Sequence, residues 1–252
     1  MTRTSATELT LGVLGGMGPQ ATVDFMAKLV LATPVSAEQD HLRVLVDSNA
    51  KVPDRNKAIA GNGPTSGPGP GPVLAAMAVG LQRSGADFIV MACNTAHAFE
   101  RDIRDALTVP FISMVEEAAD ACLREHAGAR SVGLLAAPGC IASGLYQQAL
   151  AQRGLQVLLL PAAEQARFNA LLYKIKLNEP LPALQLEMKA LGQTLIDAGA
   201  DVLLAGCTEV PLVLAQGDLP RPLLDATWNL AQRCVLYARG LAPLPGSIES
   251  AN

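Results

Sequence analysis

Two stretches share one plan: SGADFIVMACN at residues 84–94 and AGADVLLAGCT at residues 198–208. In each, Gly-Ala-Asp precedes an apolar run, and the run leads to a cysteine followed by a polar residue. The offset of 114 positions places Cys93 on Cys207. Short runs of Val, Ile and Leu bounded by turn residues are typical of buried strands. The repeat therefore predicts two similar halves, each with a cysteine at a strand end.

Strands and helices are expected to alternate along the whole chain, which is the pattern of parallel sheets with helices on both faces. The predicted fold class is α/β, with two pseudo-symmetric domains and a cleft between them that holds the active site. The first domain is expected at residues 1–108 plus 220–252, with the C-terminal helix returning to it, and the second at 109–219. Expected strands lie near residues 10–14, 42–46, 88–92, 110–114, 131–135, 157–160, 202–205 and 221–224.

Composition narrows the class of protein. Half of the 252 residues are hydrophobic and the net charge is −4, so the chain has no basic surplus and a nucleic-acid partner is not expected. No apolar stretch approaches the roughly 20 residues that span a bilayer, and the N-terminus lacks the apolar region of a signal peptide. We therefore expect a cytoplasmic protein without a membrane partner. Five widely spaced cysteines without a C-x-x-C pair predict neither a disulfide framework nor a metal site.

The two equivalent cysteines call for a chemistry that needs both. A single cysteine at a strand end is most simply a core residue. Cys122, Cys140 and Cys234 are interpreted as small apolar core residues as well. A thiol before a helix is expected to have a lowered pKa and to act as a nucleophile or base. Two like thiols across one cleft suit removal of a proton from one face of a carbon and delivery of a proton to the other.

A glycine-rich turn follows the first expected strand. Gly16-Met17-Gly18-Pro19-Gln20-Ala21 fits G-x-G-x-x-A, the fingerprint of a nicotinamide-binding enzyme. Pro19 removes a backbone donor, however, and that function leaves the paired cysteines unexplained. The turn could instead direct backbone N–H groups at a carboxylate, and a tight strand–helix connection is compatible with either function.

Several motifs resemble the aspartate racemase branch of the aspartate/glutamate racemase superfamily across about residues 9–238. They are GVLGGMGPQAT (12–22), VPDR (52–55), GADFIVMACNTAHAF (85–99), PFISMVEE (110–117) and AGCTEVPLV (205–213). The resemblance implies amino-acid racemisation without pyridoxal phosphate or metal, in a homodimer. It also implies that Cys207 takes the proton from the L-isomer and Cys93 from the D-isomer.

The candidate substrate-binding residues flank these cysteines or match family positions. Asn94, Thr95 and Thr208 are expected to hold the α-carboxylate, while Arg55 and Lys176 are expected to pair with a side-chain carboxylate, with Lys174 as the alternative lysine. His97 and Glu209 could orient the thiols or change their pKa. The full set comprises Met17, Gly18, Asn49, Arg55, Asn94, Thr95, Lys176, Thr208 and Glu209. Asp87 and Asp201, which precede the repeated strands, are interpreted as structural.

The sequence thus predicts a cofactor-independent racemase that interconverts L- and D-aspartate through Cys93 and Cys207. Glutamate or a broader set of amino acids is the alternative substrate. A non-catalytic carboxylate-binding protein of the same fold is a further alternative from a different class.

Overall fold

Both cysteine-bearing strands lie inside a parallel sheet in a computed structural model, which describes residues 8–177 and 179–245. The first sheet has the strand order β2-β1-β3-β4 and the second the equivalent order β6-β5-β7-β8. The predicted α/β class with two parallel sheets is confirmed. The strands are β1 Leu11–Gly15, β2 Val44–Ser48, β3 Phe88–Met91, β4 Phe111–Ile112, β5 Ser131–Ala136, β6 Gln156–Leu158, β7 Val202–Gly206 and β8 Leu223–Asp225.

Helices connect the strands of the first half. Proline occupies the first turn of α1 and α3, where its missing N–H costs no intrahelical hydrogen bond. Short 3₁₀ turns form at Glu38–Asp40 and Thr95–Phe99. The α-helices are α1 Pro19–Ala32, α2 Arg55–Ile59, α3 Pro70–Arg83, α4 Glu100–Ala106 and α5 Met114–Glu125.

The second half repeats this arrangement. A 3₁₀ turn at Val210–Leu212 follows β7, as the turn at Thr95–Phe99 follows β3. The closing helix is capped by Asp225, whose carboxylate accepts hydrogen bonds from the backbone N–H groups of Thr227 and Trp228. The α-helices are α6 Pro138–Ala142, α7 Leu145–Ala151, α8 Ala162–Lys176, α9 Leu181–Asp197 and α10 Ala226–Ala238.

Two short helices and the start of α3 differ from what the sequence pattern predicted. The polar segment after β2, expected to be irregular, forms α2 because the Asp54 side chain accepts the N–H of Lys57 and caps the helix. The Gly/Pro-rich loop expected to run to residue 72 ends where α3 begins at Pro70. The turn expected after β5 contains α6, which has Pro138 at its start.

The repeated aspartates tie neighbouring strands together at their starts. Asp87, before β3, accepts the N–H of Thr10 at 2.7 Å, beside β1. Asp201, before β7, accepts the N–H groups of Arg130 and Ser131 at 2.9 and 3.1 Å, beside β5. These backbone hydrogen bonds lower the pKa of Asp201. The structural interpretation of both aspartates is confirmed, because each lies at the end of its strand opposite the cysteine.

The pairing of the strands can be compared with the predicted domains, although it does not define their boundaries. β4 pairs with β3 in the first sheet, and β8 pairs with β7 in the second. The closing helix α10 packs on α1 of the first half and also on α5. The boundaries at residues 108 and 220 stay a prediction. The ends of the predicted first domain, residues 1–7 and 246–252, lie outside the described residues.

The two sheets are closely packed against their helices. Every residue of β3 is buried, and full burial of a large apolar side chain such as that of Phe88 contributes about 1.5–3 kcal/mol. None of the helices in the described part of the chain has both the length and the apolar character needed to cross a membrane.

Candidate active site

The paired thiols line one cavity between the two halves. Cys93 directly follows Ala92 at the end of β3, and Cys207 directly follows β7, so the carboxyl ends of both strands open toward the same space. Each cysteine is only 5% exposed. The cavity spans about 270 Å³, a volume that includes space open to solvent, and it is lined by Met17, Arg55, Asn56, Cys93, Asn94, Thr95, Lys176, Cys207, Thr208 and Glu209.

Most of the predicted site residues therefore converge. Gly18 instead lines an adjoining space, and Asn49 is absent from both linings. The Asn49 side chain accepts the backbone N–H of Lys51 at 2.9 Å, and its Nδ2 lies 3.6 Å from Sδ of Met77. Lys176, rather than Lys174, is the lysine that reaches the cavity.

The glycine turn is built from hydrogen bonds internal to the protein. Gly16 donates its N–H to Oγ1 of Thr22 at 2.8 Å, and that hydroxyl donates to the carbonyl of Gly18 at 3.1 Å. Gly16 has φ +88°, and a Cβ there would lie 2.4 Å from backbone atoms of Asn49. Only glycine fits this position. The Gly16 amide is thus used within a tight strand–helix connection.

Asn94 presents a free amide at the cavity. The hydroxyl of Tyr146, from α7 in the second half, donates a hydrogen bond to Asn94 Oδ1. Nδ2 of Asn94 is buried and has no hydrogen-bond partner within residues 8–177 and 179–245. A buried polar group without a partner is costly, so this amide is available to an acceptor on a ligand.

Arg55 also has an unused donor. Its Nη1 donates to the carbonyl oxygens of Val52 and Pro53 at 3.1 and 3.0 Å, which fixes the guanidinium at the start of α2. Its buried Nε has no partner among the described residues. The guanidinium also forms no ion pair with a described carboxylate, so its charge is available to an anionic ligand group.

Cys207 is held by a carboxylate. Its Sγ donates to Oε2 of Glu209 at 2.9 Å, and Nζ of Lys176 lies 3.8 Å from Oε1 of the same side chain. Burial, together with the charge of Glu209, raises the pKa of Cys207 well above its ordinary value, while Lys176 acts in the opposite direction. The lowered pKa expected for a thiol before a helix is therefore wrong for Cys207. Only a 3₁₀ turn of three residues follows it.

Cys93 has a different surrounding. Within the described part of the chain, its Sγ has no hydrogen-bond partner, whereas its carbonyl contacts Nδ1 of His97 at 2.9 Å. Nε2 of His97 accepts the N–H of Met114 at 3.1 Å, so Nδ1 carries the proton and donates a hydrogen bond to the carbonyl oxygen of Cys93. Burial lowers the pKa of His97, which keeps the ring neutral. His97 thereby links the turn after β3 to the start of α5.

Asn56 and Gly139 mark where the halves meet, a contact that the sequence did not suggest. The Gly139 N–H donates to Asn56 Oδ1 at 2.9 Å. A Cβ on Gly139 would lie 2.7 Å from that oxygen and 3.0 Å from Cγ2 of Thr95. The glycine thus permits close approach beside the cavity. No group of three or more His, Cys, Asp or Glu residues in the described ranges is arranged to hold a metal ion.

Comparison with known proteins agrees with this geometry. The family model of Asp/Glu/Hydantoin racemases matches residues 14–234. The broad specificity amino-acid racemase RacX of Bacillus subtilis (strain 168) is 30% identical over 243 residues, which cover 89% of this chain and 96% of that relative. A glutamate racemase of Roseiflexus sp. (strain RS-1) is 32% identical over 183 residues, 67% of this chain and 63% of the relative. The structure of Picrophilus torridus aspartate racemase gives a TM-score of 0.78 at 25% identity, covering 92% of this chain and 94% of that one.

The fold and these matches define the class of protein, which is an amino-acid racemase and therefore an isomerase. The chain belongs to the Asp/Glu/hydantoin racemase family.

Proposed function

We propose that this racemase interconverts L- and D-aspartate by a two-base mechanism that uses Cys93 and Cys207 and no cofactor. The observation that carries the proposal is the placement of two thiols at equivalent strand ends, both lining one cavity. A base and an acid on opposite sides of a carbon can invert it in a single passage through a carbanion-like state. The near-symmetry of the two halves suits two mirror-image substrates.

In the L-to-D direction, the thiolate of Cys207 takes the α-proton and the thiol of Cys93 delivers its proton to the opposite face. The roles reverse for D-aspartate. This assignment of faces follows the family resemblance. Loss of the α-proton builds negative charge that extends into the α-carboxylate, so hydrogen bonds to that group stabilise the transition state. The Asn94 amide, with Thr95 and Thr208, is proposed to supply them.

The side-chain carboxylate of aspartate is assigned to Arg55 and Lys176. The free Nε of Arg55 supports this assignment, because guanidinium nitrogens form charge-assisted hydrogen bonds with carboxylates. Lys176 is paired with Glu209 at 3.8 Å. Burial by itself would lower the pKa of Lys176, but the nearby Glu209 and the two cysteines raise it, so the lysine is cationic.

Glu209 is assigned to hold the proton of Cys207. It lies 2.9 Å from Sγ, and no other described side chain forms a hydrogen bond with that atom. When Cys207 must act as a base, its proton passes to the Glu209 carboxylate, which leaves a thiolate and a carboxylic acid. The charge of Lys176 favours the thiolate, because it opposes the rise in the pKa of Cys207. Glu209 is thus proposed to act on the thiol, which is one of the two roles that the sequence suggested for it, the other being contact with substrate.

The test uses the pure protein with L-aspartate in deuterium oxide, followed by NMR of the α-proton and chiral separation. We expect α-deuteration together with formation of D-aspartate. Binding of aspartate without any exchange would instead favour the non-catalytic carboxylate-binding alternative. Exchange of glutamate but not of aspartate would show that the substrate is glutamate, as in the glutamate racemases that the chain also resembles.

A broader substrate range is the second candidate, favoured by the similarity to the broad specificity racemase of Bacillus subtilis over 96% of that relative. The homodimer and the cytoplasmic location stay predictions from the sequence. Sedimentation of the purified protein tests the first of these, and fractionation of the source cells tests the second.

A further inference from the structure

A second space adjoins the cavity of the thiols. This outer chamber spans about 580 Å³, compared with about 270 Å³ for the thiol cavity, and both volumes include space open to solvent. The two spaces share Arg55, Lys176 and Glu209, which we call the neck. The remaining lining of the chamber consists of Gly16, Gly18, Pro19, Gln20, Ala21, Ala50, Ile175 and Leu212.

The chamber differs from the thiol cavity in its chemistry. Beyond the neck, none of the described residues in its lining is charged, and Gln20 supplies the single polar side chain. Ile175 is 4% exposed, so this part of the chamber wall is formed by a residue of the packed core. Apolar walls with a few polar groups at one end are typical of pockets that bind the apolar part of a ligand.

The neck carries two positive charges and one negative charge, and the unpaired charge is that of Arg55, whose Nη1 already donates to the carbonyl oxygens of Val52 and Pro53. Lys176 already has Glu209 as a partner, so a neutral side chain can pass without leaving that pair unsatisfied. The side-chain carboxylate of aspartate, which is short, ends at the neck when its α-carbon lies between the thiols. A longer unbranched side chain continues past the neck and reaches the apolar walls. The charge of the substrate side chain is therefore recognised at the neck, and its length is recognised in the outer chamber.

We propose that the outer chamber is a second part of the substrate site, which binds long, unbranched, uncharged side chains such as that of norleucine. The inference rests on the proposed function, because the thiols must still exchange the α-proton. Each methylene that becomes buried is expected to raise kcat/KM by up to about fourfold. The rise should continue along the series alanine, 2-aminobutyrate, norvaline and norleucine.

The experiment follows α-deuteration of L-aspartate, L-alanine and L-norleucine by the full-length protein. Ala50→Phe narrows the chamber from the exposed turn after β2, and Gln20→Trp does so independently from the first turn of α1. The matched control is Ala60→Phe, at an exposed position after α2 that lines neither space. We expect the ratio of norleucine to alanine kcat/KM to fall by about fourfold in both chamber variants, because only the terminal methyl group of norleucine extends beyond the length of aspartate. The ratio should stay unchanged in the control.

The outcomes separate this inference from the proposed function. Exchange of aspartate without exchange of norleucine by the wild-type protein would overturn the chamber as a substrate site and leave the racemase proposal intact. An unchanged ratio in the chamber variants would also overturn it, because the chamber would then be only a passage. Absence of exchange with all three amino acids would remove the support for both.

Discussion

The hydroxyl of Tyr146 connects the second half of the chain to the substrate site of the first. Tyr146→Phe keeps the ring, which is fully buried, and removes only the donor to Asn94 Oδ1. Without that hydrogen bond, the Asn94 amide is free to turn, and its Nδ2 no longer has a fixed direction in the cavity. If this amide holds the α-carboxylate, the variant should bind substrate more weakly.

The expected magnitude follows from the burial of the pair. Leaving the buried Asn94 carbonyl without its donor costs about 1–3 kcal/mol. In a chain of 252 residues, 1 kcal/mol shifts the melting temperature by about 2–4 °C, so a fall of roughly 4–8 °C is expected for the middle of that range. Loss of about 1.4 kcal/mol from the bond to the carboxylate would raise KM about tenfold. The bond already exists in the ground state, so KM should rise, and it strengthens as charge builds in the α-carboxylate, so kcat should also fall.

Tyr237→Phe is the matched control. Tyr237 is also buried, and its hydroxyl donates to Glu117 and accepts from Arg233, but it does not line the thiol cavity. Both variants should lose thermal stability to a similar degree, while only Tyr146→Phe should raise KM for aspartate in the NMR exchange assay. If Tyr146→Phe melts earlier but has the KM of the wild-type protein, the assignment of Asn94 to the substrate is refuted.

Three further predictions follow from the thiols and the buried histidine. Glu209→Gln removes the charge that helps raise the pKa of Cys207, so the acidic limb of the pH–rate profile for L-aspartate exchange should move to lower pH; an unmoved limb would argue against Glu209 as the proton holder. Cys207→Ala should abolish racemisation but still deuterate D-aspartate, and Cys93→Ala should still deuterate only L-aspartate; exchange with the opposite preference would reverse the assignment of faces. His97 is neutral in the folded protein, with its pKa below the ordinary 6.5, so stability should be fully present above pH 6.5 and fall below it, and His97→Gln should flatten that decline in urea titrations.

The strand ends and their cysteines could be predicted because their signals are local. An apolar run of strand length, bounded by Gly-Ala-Asp and a cysteine, needs no knowledge of the rest of the fold. The repeat then predicts that Cys93 and Cys207 are equivalent, and both line the cavity. Arg55 and Lys176 came from the family resemblance and Asn94 from its place beside Cys93, and all three line the same space.

The contacts between the halves could not be predicted in this way. Tyr146 and Asn56 form hydrogen bonds with residues that are distant in the sequence, and neither belongs to a motif. The only local signal was Gly139, a glycine at the start of a helix, where a Cβ would collide with Asn56. The pKa of Cys207 was mispredicted for a related reason. The position before a helix is visible in the sequence, whereas the burial that outweighs it depends on the complete fold.

The two equivalent sheets serve one reaction, and thermodynamics limits how the sequences of the two halves can change independently. Enantiomers have equal free energies in water, so kcat/KM must remain equal for the two substrates of a racemase whatever residue is changed. Under the proposed mechanism, a substitution beside Cys93 therefore slows or speeds both directions as much as one beside Cys207. Selection under this mechanism acts on the two halves as one unit at the cavity, where residues 84–94 and 198–208 still share one plan.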